Sequence, residues 1–292
     1  MRVLIVFTAN DTHNPFVREL KDGLEHAGCT VSWNLKDFWD KKGNYDIIHI
    51  QWPEYLFPQD FDERSFDELQ SVLNFWKKRS SIILTRHNKH PYYTNRPALY
   101  QELYHLVYSY CDGIVHLGSD GLEAFKSAYP SDLYGNAIRH TIIPHHIYLK
   151  SYPNNISQKE ARDLLNISNK AFVVLVFGRI RLPKERRFLV EIFKRQRKEE
   201  TLFILPSWLP LDLYTGNTIK DNLKRRYYRL KIWLINRNKN IVAAGRFIND
   251  KDVQLYFNAA DILLIPRIDG LNSGNVTLGY FFKKVVIGPH IG

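Results

Sequence analysis

Two segments of this 292-residue chain place phosphate-binding chemistry at the ends of apolar runs. The first reads Phe177-Gly178-Arg179-Ile180-Arg181-Leu182-Pro183-Lys184. Glycine lets the backbone turn closely beside a ligand. The Arg179 guanidinium can fork onto phosphate oxygens, and Lys184 adds a compact second charge. At the carboxyl edge of a sheet, Gly178, Arg179 and Lys184 would hold a diphosphate; the alternative is a pair of ordinary loop cations. The second segment runs from Asp261 through Pro266 and Asp269 into Gly270-Leu271-Asn272-Ser273-Gly274-Asn275, with a helix expected from about Val276. Free backbone N–H groups at a helix start attract phosphate. The side chains of Asn272, Ser273 and Asn275 add hydrogen-bonding groups. A simple helix cap by Ser273 or Asn275 is the competing reading.

The elements that would position these loops follow from periodicity. Short apolar runs at residues 3–7, 30–33, 46–50, 81–85 and 113–117 read as strands. Helical spacing appears around 16–24, 66–76 and 98–110. A polar, helix-poor stretch at 148–157 reads as a linker. A second series of strands follows at 172–177, 202–205, 241–243, 262–265 and 285–288. Strands alternating with helices imply parallel sheets covered on both faces, with functional residues at the carboxyl ends of strands. The expectation is an α/β protein with one domain over 1–150 and a second over 158–292.

Bulk properties agree with a globular protein: 45% hydrophobic and 24% charged residues. No apolar run approaches the roughly 20 residues of a membrane span. The apolar start is too short for a leader and lacks a cleavage site, so it reads as a buried strand. Cys29 and Cys111 have no metal or redox spacing and read as reduced core residues of a cytoplasmic protein. Residues 1–150 carry 16 Lys and Arg against 18 Asp and Glu, whereas residues 151–292 carry 25 against 12. The second half therefore calls for an anionic partner.

The basic segment 220–239 has Leu223, Tyr227, Leu230 and Leu234 along one helical face. One reading is a solvated helix burying that stripe. The other is attachment to an anionic membrane surface, with Tyr228 or Trp233 at the headgroups. No recognised nucleic-acid module is present, and no nucleic acid is expected.

Taken in order, these segments resemble the GT-B glycosyltransferases, specifically the large retaining family four. Gly178-Arg179 with Lys184, then Ala260-Asp261, Pro266 and Val285-Val286-Ile287-Gly288, are similar to the family's donor domain. The stretches at 46–54, at Thr85-Arg86-His87-Asn88-Lys89-His90-Pro91 and at 139–145 are similar to its acceptor-side domain. The resemblance implies two facing Rossmann-like domains with parallel sheets. It implies that Arg179, Lys184 and the amides of Asn272–Asn275 hold the donor diphosphate. It also implies that His87 stands near the transferred sugar as the catalytic residue, while His49 reads as structural. Trp52 and Glu54 would line the acceptor site or pack the loop. Asn14 is a weaker acceptor candidate, in a loop that lacks the family's double glycine. Where many members carry two glutamates in the donor loop, this chain has Gly270 and Leu278; Asp269 stands beside the first position and is the candidate for the sugar or ribose. The chain stops where such proteins continue, so the second domain is expected to be incomplete.

The resulting expectation is a retaining transferase using a nucleotide-sugar substrate, no cofactor and no metal, since Arg179 and Lys184 offer the charge a metal would bring. The acceptor is a glycan or lipid-linked saccharide in surface polysaccharide biosynthesis, met in the cytoplasm or peripherally on the membrane's inner face. The alternatives are a non-catalytic nucleotide-sugar-binding domain and a sugar-nucleotide isomerase of the same fold.

Overall fold

Apolar residues fill consecutive positions of the first strand, β1 (Arg2–Val6), and serve two layers at once. Val3, Ile5 and the following Phe7 pack with Phe16 and Val17, whereas Leu4 and Val6 pack with Phe38, Leu69 and Trp76. A strand buried on both faces needs such a run, because successive side chains point to opposite sides of a sheet. The structure, a computed structural model, describes residues 1–8, 15–57, 64–89, 96–129, 137–180, 182–196, 200–209, 218–268 and 270–290. Asn14, Asp269, Arg181, His90 and Pro91 lie outside the described residues.

The chain divides into two compact units: residues 1–146 with 270–272, and residues 147–269 with 273–290. In the first, β1 leads to α1 (Pro15–His26), β2 (Thr30–Trp33), α2 (Leu35–Trp39) and β3 (Ile47–Ile50). A single 3-10 turn (Pro53–Leu56) precedes α3 (Arg64–Lys77), β4 (Ser81–Arg86), α4 (Pro97–Tyr110), β5 (Gly113–His116), α5 (Ser119–Ala128) and β6 (Arg139–Ile142). The six strands pair in parallel in the order β2-β1-β3-β4-β5-β6.

The second unit contains α6 (Gln158–Leu164), β7 (Phe172–Leu175), α7 (Pro183–Arg195), β8 (Thr201–Leu205), α8 (Ile219–Ile235) and β9 (Ile241–Ala243). It ends with α9 (Asp250–Ala259), β10 (Ile262–Leu264), α10 (Gly274–Phe281) and β11 (Val285–Ile287). Its five parallel strands follow the order β11-β10-β7-β8-β9. Val173 and Leu175 face one core, and Val174 and Val176 the other. Tyr148 and Tyr152, in the stretch read as a linker, pack on the first of these cores. Asp261 ties α6 to the sheet: its carboxylate accepts from buried Arg162 at 2.8 Å and from the Val173 amide at 2.7 Å. Gly279 allows α10 to sit close to the sheet, since a Cβ there would lie 2.6 Å from Val286 Cγ2.

Helix α8 corrects one expectation. Leu223, Tyr227, Leu230 and Leu234 all point outward, each at least half exposed. The inward stripe is Tyr228, Ile232 and Ile235. Among the described residues no helix is long and apolar enough to cross a membrane. Cys29 is half-buried, Cys111 is buried, and both are free thiols.

Candidate functional site

In the second unit the strand order reverses between β7 and β10, so the loops leaving these two strands are neighbours at the carboxyl edge. Such a switch point is where open α/β sheets bind ligands. The β7 loop carries Gly178 and Arg179, and the β10 loop carries Arg267 and runs to the start of α10. Gly178 has a φ of +81°, in the left-handed region that glycine adopts freely. Asn275, in the first turn of α10, donates its Nδ2 to the Phe177 carbonyl at 2.8 Å. A Cβ on Gly178 would sit 3.0 Å from that Nδ2. The glycine loop is therefore closed against the start of α10.

A second clamp was invisible in the sequence. Glu185, 1% exposed, accepts from Arg267 Nη1 with both oxygens at 2.9 Å. Arg267 Nη2 donates to the backbone carbonyl of Arg179 at 2.8 Å. Glu185 also accepts from the Leu182 amide at 3.1 Å, satisfying a donor at the start of α7. One buried ion pair thus fixes the Arg179 backbone. The Arg179 side chain is half-buried, and Lys184 is exposed in the first turn of α7.

Ser273 occupies the N-cap position of α10, but its hydroxyl makes no cap hydrogen bond. Asn275 does not cap either: it lies inside the first turn, and its Nδ2 donates to the Phe177 carbonyl. The helix also starts earlier than expected, at Gly274. Asn272 groups with the first unit, where its Nδ2 donates to the His87 carbonyl at 3.2 Å.

In the first unit the sheet reverses between β1 and β3, and a polar cluster sits at the ends of β3 and β4. His87 is buried, with Nε2 3.0 Å from Gln51 Oε1. Its ring stacks on Trp52 at 4.0 Å and meets the edge of Phe16 at 4.6 Å. One face of Trp52 is therefore occupied by His87. Burial pushes the His87 imidazole well below its usual range, and the nearby His145, His49 and His146 push the same way. His87 is thus a neutral ring. His49 bonds Thr85 Oγ1 at 2.9 Å, and burial lowers it to about 4.

Glu54 is half-buried and accepts from the Tyr104 hydroxyl at 2.5 Å. Burial raises its pKa, opposed by hydrogen bonds from Tyr104, its own backbone and Asn88. Gln51 is fully buried, and its Nε2 has no partner among the described residues. An unmet buried donor beside a neutral histidine is a ready place for a hydroxyl oxygen. Gln51, Asn88, Glu185 and Arg267 were not singled out from sequence. Their one signal was position, just after an apolar run or in the first turn of a helix.

The chain holds two Asp-x-Asp triplets, the usual carboxylate pair for a metal-held diphosphate. Asp60-Phe61-Asp62 lies outside the described residues, and Asp250-Lys251-Asp252 forms the first turn of α9.

No protein-family model matches this chain. No curated protein matches it significantly. Solved structures do. Sucrose-phosphate synthase from Thermosynechococcus elongatus aligns over 100% of this chain and 81% of its own, with a TM-score of 0.67 at 14% identity. The catalytic domain of starch synthase IV from Arabidopsis thaliana, bound to ADP and acarbose, aligns over 100% and 83%, with a TM-score of 0.62 at 10% identity. HepE from Anabaena in complex with UDP aligns over 100% and 81%, with a TM-score of 0.63 at 11% identity. These are GT-B glycosyltransferases, and the chain, with its two parallel α/β sheets, has their fold.

Proposed function

We propose that this protein is a glycosyltransferase that moves a sugar from a nucleotide-sugar donor to a saccharide or lipid-linked acceptor, with retention and without a metal. The observation that carries the reading is the second unit's switch point. There Gly178 and Arg179 are locked by the Arg267–Glu185 pair beside the start of an eight-residue helix. A departing nucleoside diphosphate gains negative charge, so fixed cations and helix-start amides lower the barrier by binding it more tightly as it leaves. Arg179 and Lys184 take the phosphate oxygens in this reading; Gly274 and Asn275 present backbone amides, and Ser273 a hydroxyl. Asn275 contributes its side chain by holding the glycine loop rather than the ligand.

In the first unit, His87 acts as a neutral hydrogen-bonding group toward the transferred sugar, with Gln51 orienting its ring. Glu54 and Asn88 serve the acceptor hydroxyls, and Trp52 fixes His87 by stacking. The work belongs to surface polysaccharide synthesis on the cytoplasmic side of the membrane. HepE has been solved with UDP and glucose, and starch synthase IV with ADP. Both precedents support a nucleoside diphosphate as the donor's leaving group.

The test is thermal denaturation with UDP, ADP and GDP and their glucose conjugates, with and without chelator. A ligand that binds only the folded form raises the melting temperature in proportion to affinity and concentration. At least one diphosphate is expected to shift the melt, with chelator making no difference. Arg179→Ala is expected to abolish the shift. No shift with any diphosphate, or the same shift in Arg179→Ala, would overturn the assignment.

A further inference from the structure

Helix α8 carries two apolar arcs, and the sheet uses one. Tyr228, Ile232 and Ile235 pack on the core of the second unit, yet no residue of this 17-residue helix is fully buried. Ile219 is 81% exposed, and Leu223, Tyr227, Leu230, Trp233 and Leu234 are each 50–61% exposed. At 3.6 residues per turn, these six fall within an arc of about a third of the helix circumference. That is far more aligned apolar surface than scattered exposure produces.

Five of the helix's six cations are arranged around this arc. Helix α8 holds Lys220, Lys224, Arg225, Arg226, Arg229 and Lys231 against the single acid Asp221. On the helical projection Lys220, Lys231 and Lys224 flank one side of the arc, Arg229 and Arg225 flank the other, and Arg226 falls within the arc between Trp233 and Ile219. The Lys231 ammonium stands 4.5 Å from the Tyr227 ring centre, and the Arg237 guanidinium 5.5 Å from that of Trp233. An apolar centre with a cationic rim matches a leaflet, whose acyl region accepts the one and whose anionic headgroups accept the other. A second copy of the chain would set two cationic rims against each other. A nucleic acid would leave the apolar arc without a partner.

We propose that the outer face of α8 lies in the interface of an anionic membrane. Leu223, Leu230, Trp233 and Leu234 enter the acyl boundary, and the flanking lysines and arginines reach the lipid phosphates. This rests on the α8 surface alone and stands or falls apart from the donor-site reading.

The test is flotation of the whole chain with phosphatidylcholine vesicles, with and without phosphatidylglycerol. Binding is expected with the anionic vesicles only. Lys220→Gln with Lys231→Gln should weaken it by about fivefold per cation removed. Leu230→Glu should weaken it by at least about tenfold. Both variants change exposed side chains, so their melting temperatures and far-ultraviolet circular dichroism should match the parent. A blue shift of tryptophan emission on binding should shrink in Trp233→Phe. Equal binding to neutral vesicles, or binding untouched by Leu230→Glu, would overturn the proposal. So would a dimer that Leu230→Glu dissociates in sedimentation, or DNA binding as tight as vesicle binding.

Discussion

Gly178 bears a sharp backbone demand in the loop after β7. Its φ of +81° disfavours any side chain, and an added Cβ would press Asn275 Nδ2, which holds the Phe177 carbonyl. Gly178→Ala should therefore destabilise the second unit by about 1–2 kcal/mol. It should also weaken nucleoside diphosphate binding as the loop shifts. Gly23 supplies the contrast: it sits inside α1, and a Cβ there meets nothing within 4 Å. Gly23→Ala should stabilise by about 0.5–1 kcal/mol, because alanine has less backbone freedom to lose. Urea unfolding of both variants checks the opposite signs. At this scale the sequence was readable where one residue type has one use, as with the turn at Gly178. It was not readable for Gln51, whose buried amide gains meaning only from His87, 36 positions away.

The elements around the candidate donor loop depend on a pair no local pattern announced. Glu185 belongs to the first turn of α7 and Arg267 to the loop after β10, 82 positions apart. Breaking one partner strands the other charge in the interior, so Glu185→Gln or Arg267→Met should each cost about 3–5 kcal/mol. The double variant should cost clearly less than the two together, because the stranded charge is gone. Arg267→Lys should fail to restore diphosphate binding. An ammonium cannot span both the Glu185 carboxylate and the Arg179 carbonyl as a planar fork does. Denaturant melts and a double-mutant cycle measure this. Helix α8 shows the limit of periodicity at the same scale. Its sequence contains two apolar arcs, and spacing identifies an arc without saying which one meets the sheet. Packing against β8 and β9 selected Tyr228, Ile232 and Ile235 and left Leu223, Tyr227, Leu230 and Leu234 in solvent.

Across the whole molecule, buried histidines divide the two units. His49, His87, His116, His145 and His146 all belong to the first, and burial holds each below its usual range: His49 and His146 to about 4, His116 to about 3, His87 well below normal and His145 below normal. These rings stay neutral in the fold but take up protons in the unfolded chain once the pH drops below about 6.5. Their stabilising effect is complete above that value and is lost as the pH falls towards the folded pKa values. The slope reaches at most about 1.4 kcal/mol per pH unit for each histidine, and less for the partly exposed His145 and His146. Glu54 acts in the opposite sense, since its raised pKa favours the protonated fold, but it is one group against five. Hydrogen exchange between about pH 7 and about pH 5 should show the first unit losing protection well before the second. Equal loss in both would contradict it. The sequence by itself determined the two series of strands and the placing of Gly178, Arg179 and Lys184 just after an apolar run. Period-two burial and the special freedom of glycine are local properties, written within a few residues. Only the tertiary structure decided that β10 lies beside β7, and with it the meeting of Arg267 and Glu185. It also decided the pairing of His87 with Gln51 and the outward arc of α8. Strand order brings distant residues together, and that order depends on how whole layers pack rather than on any short pattern in the chain.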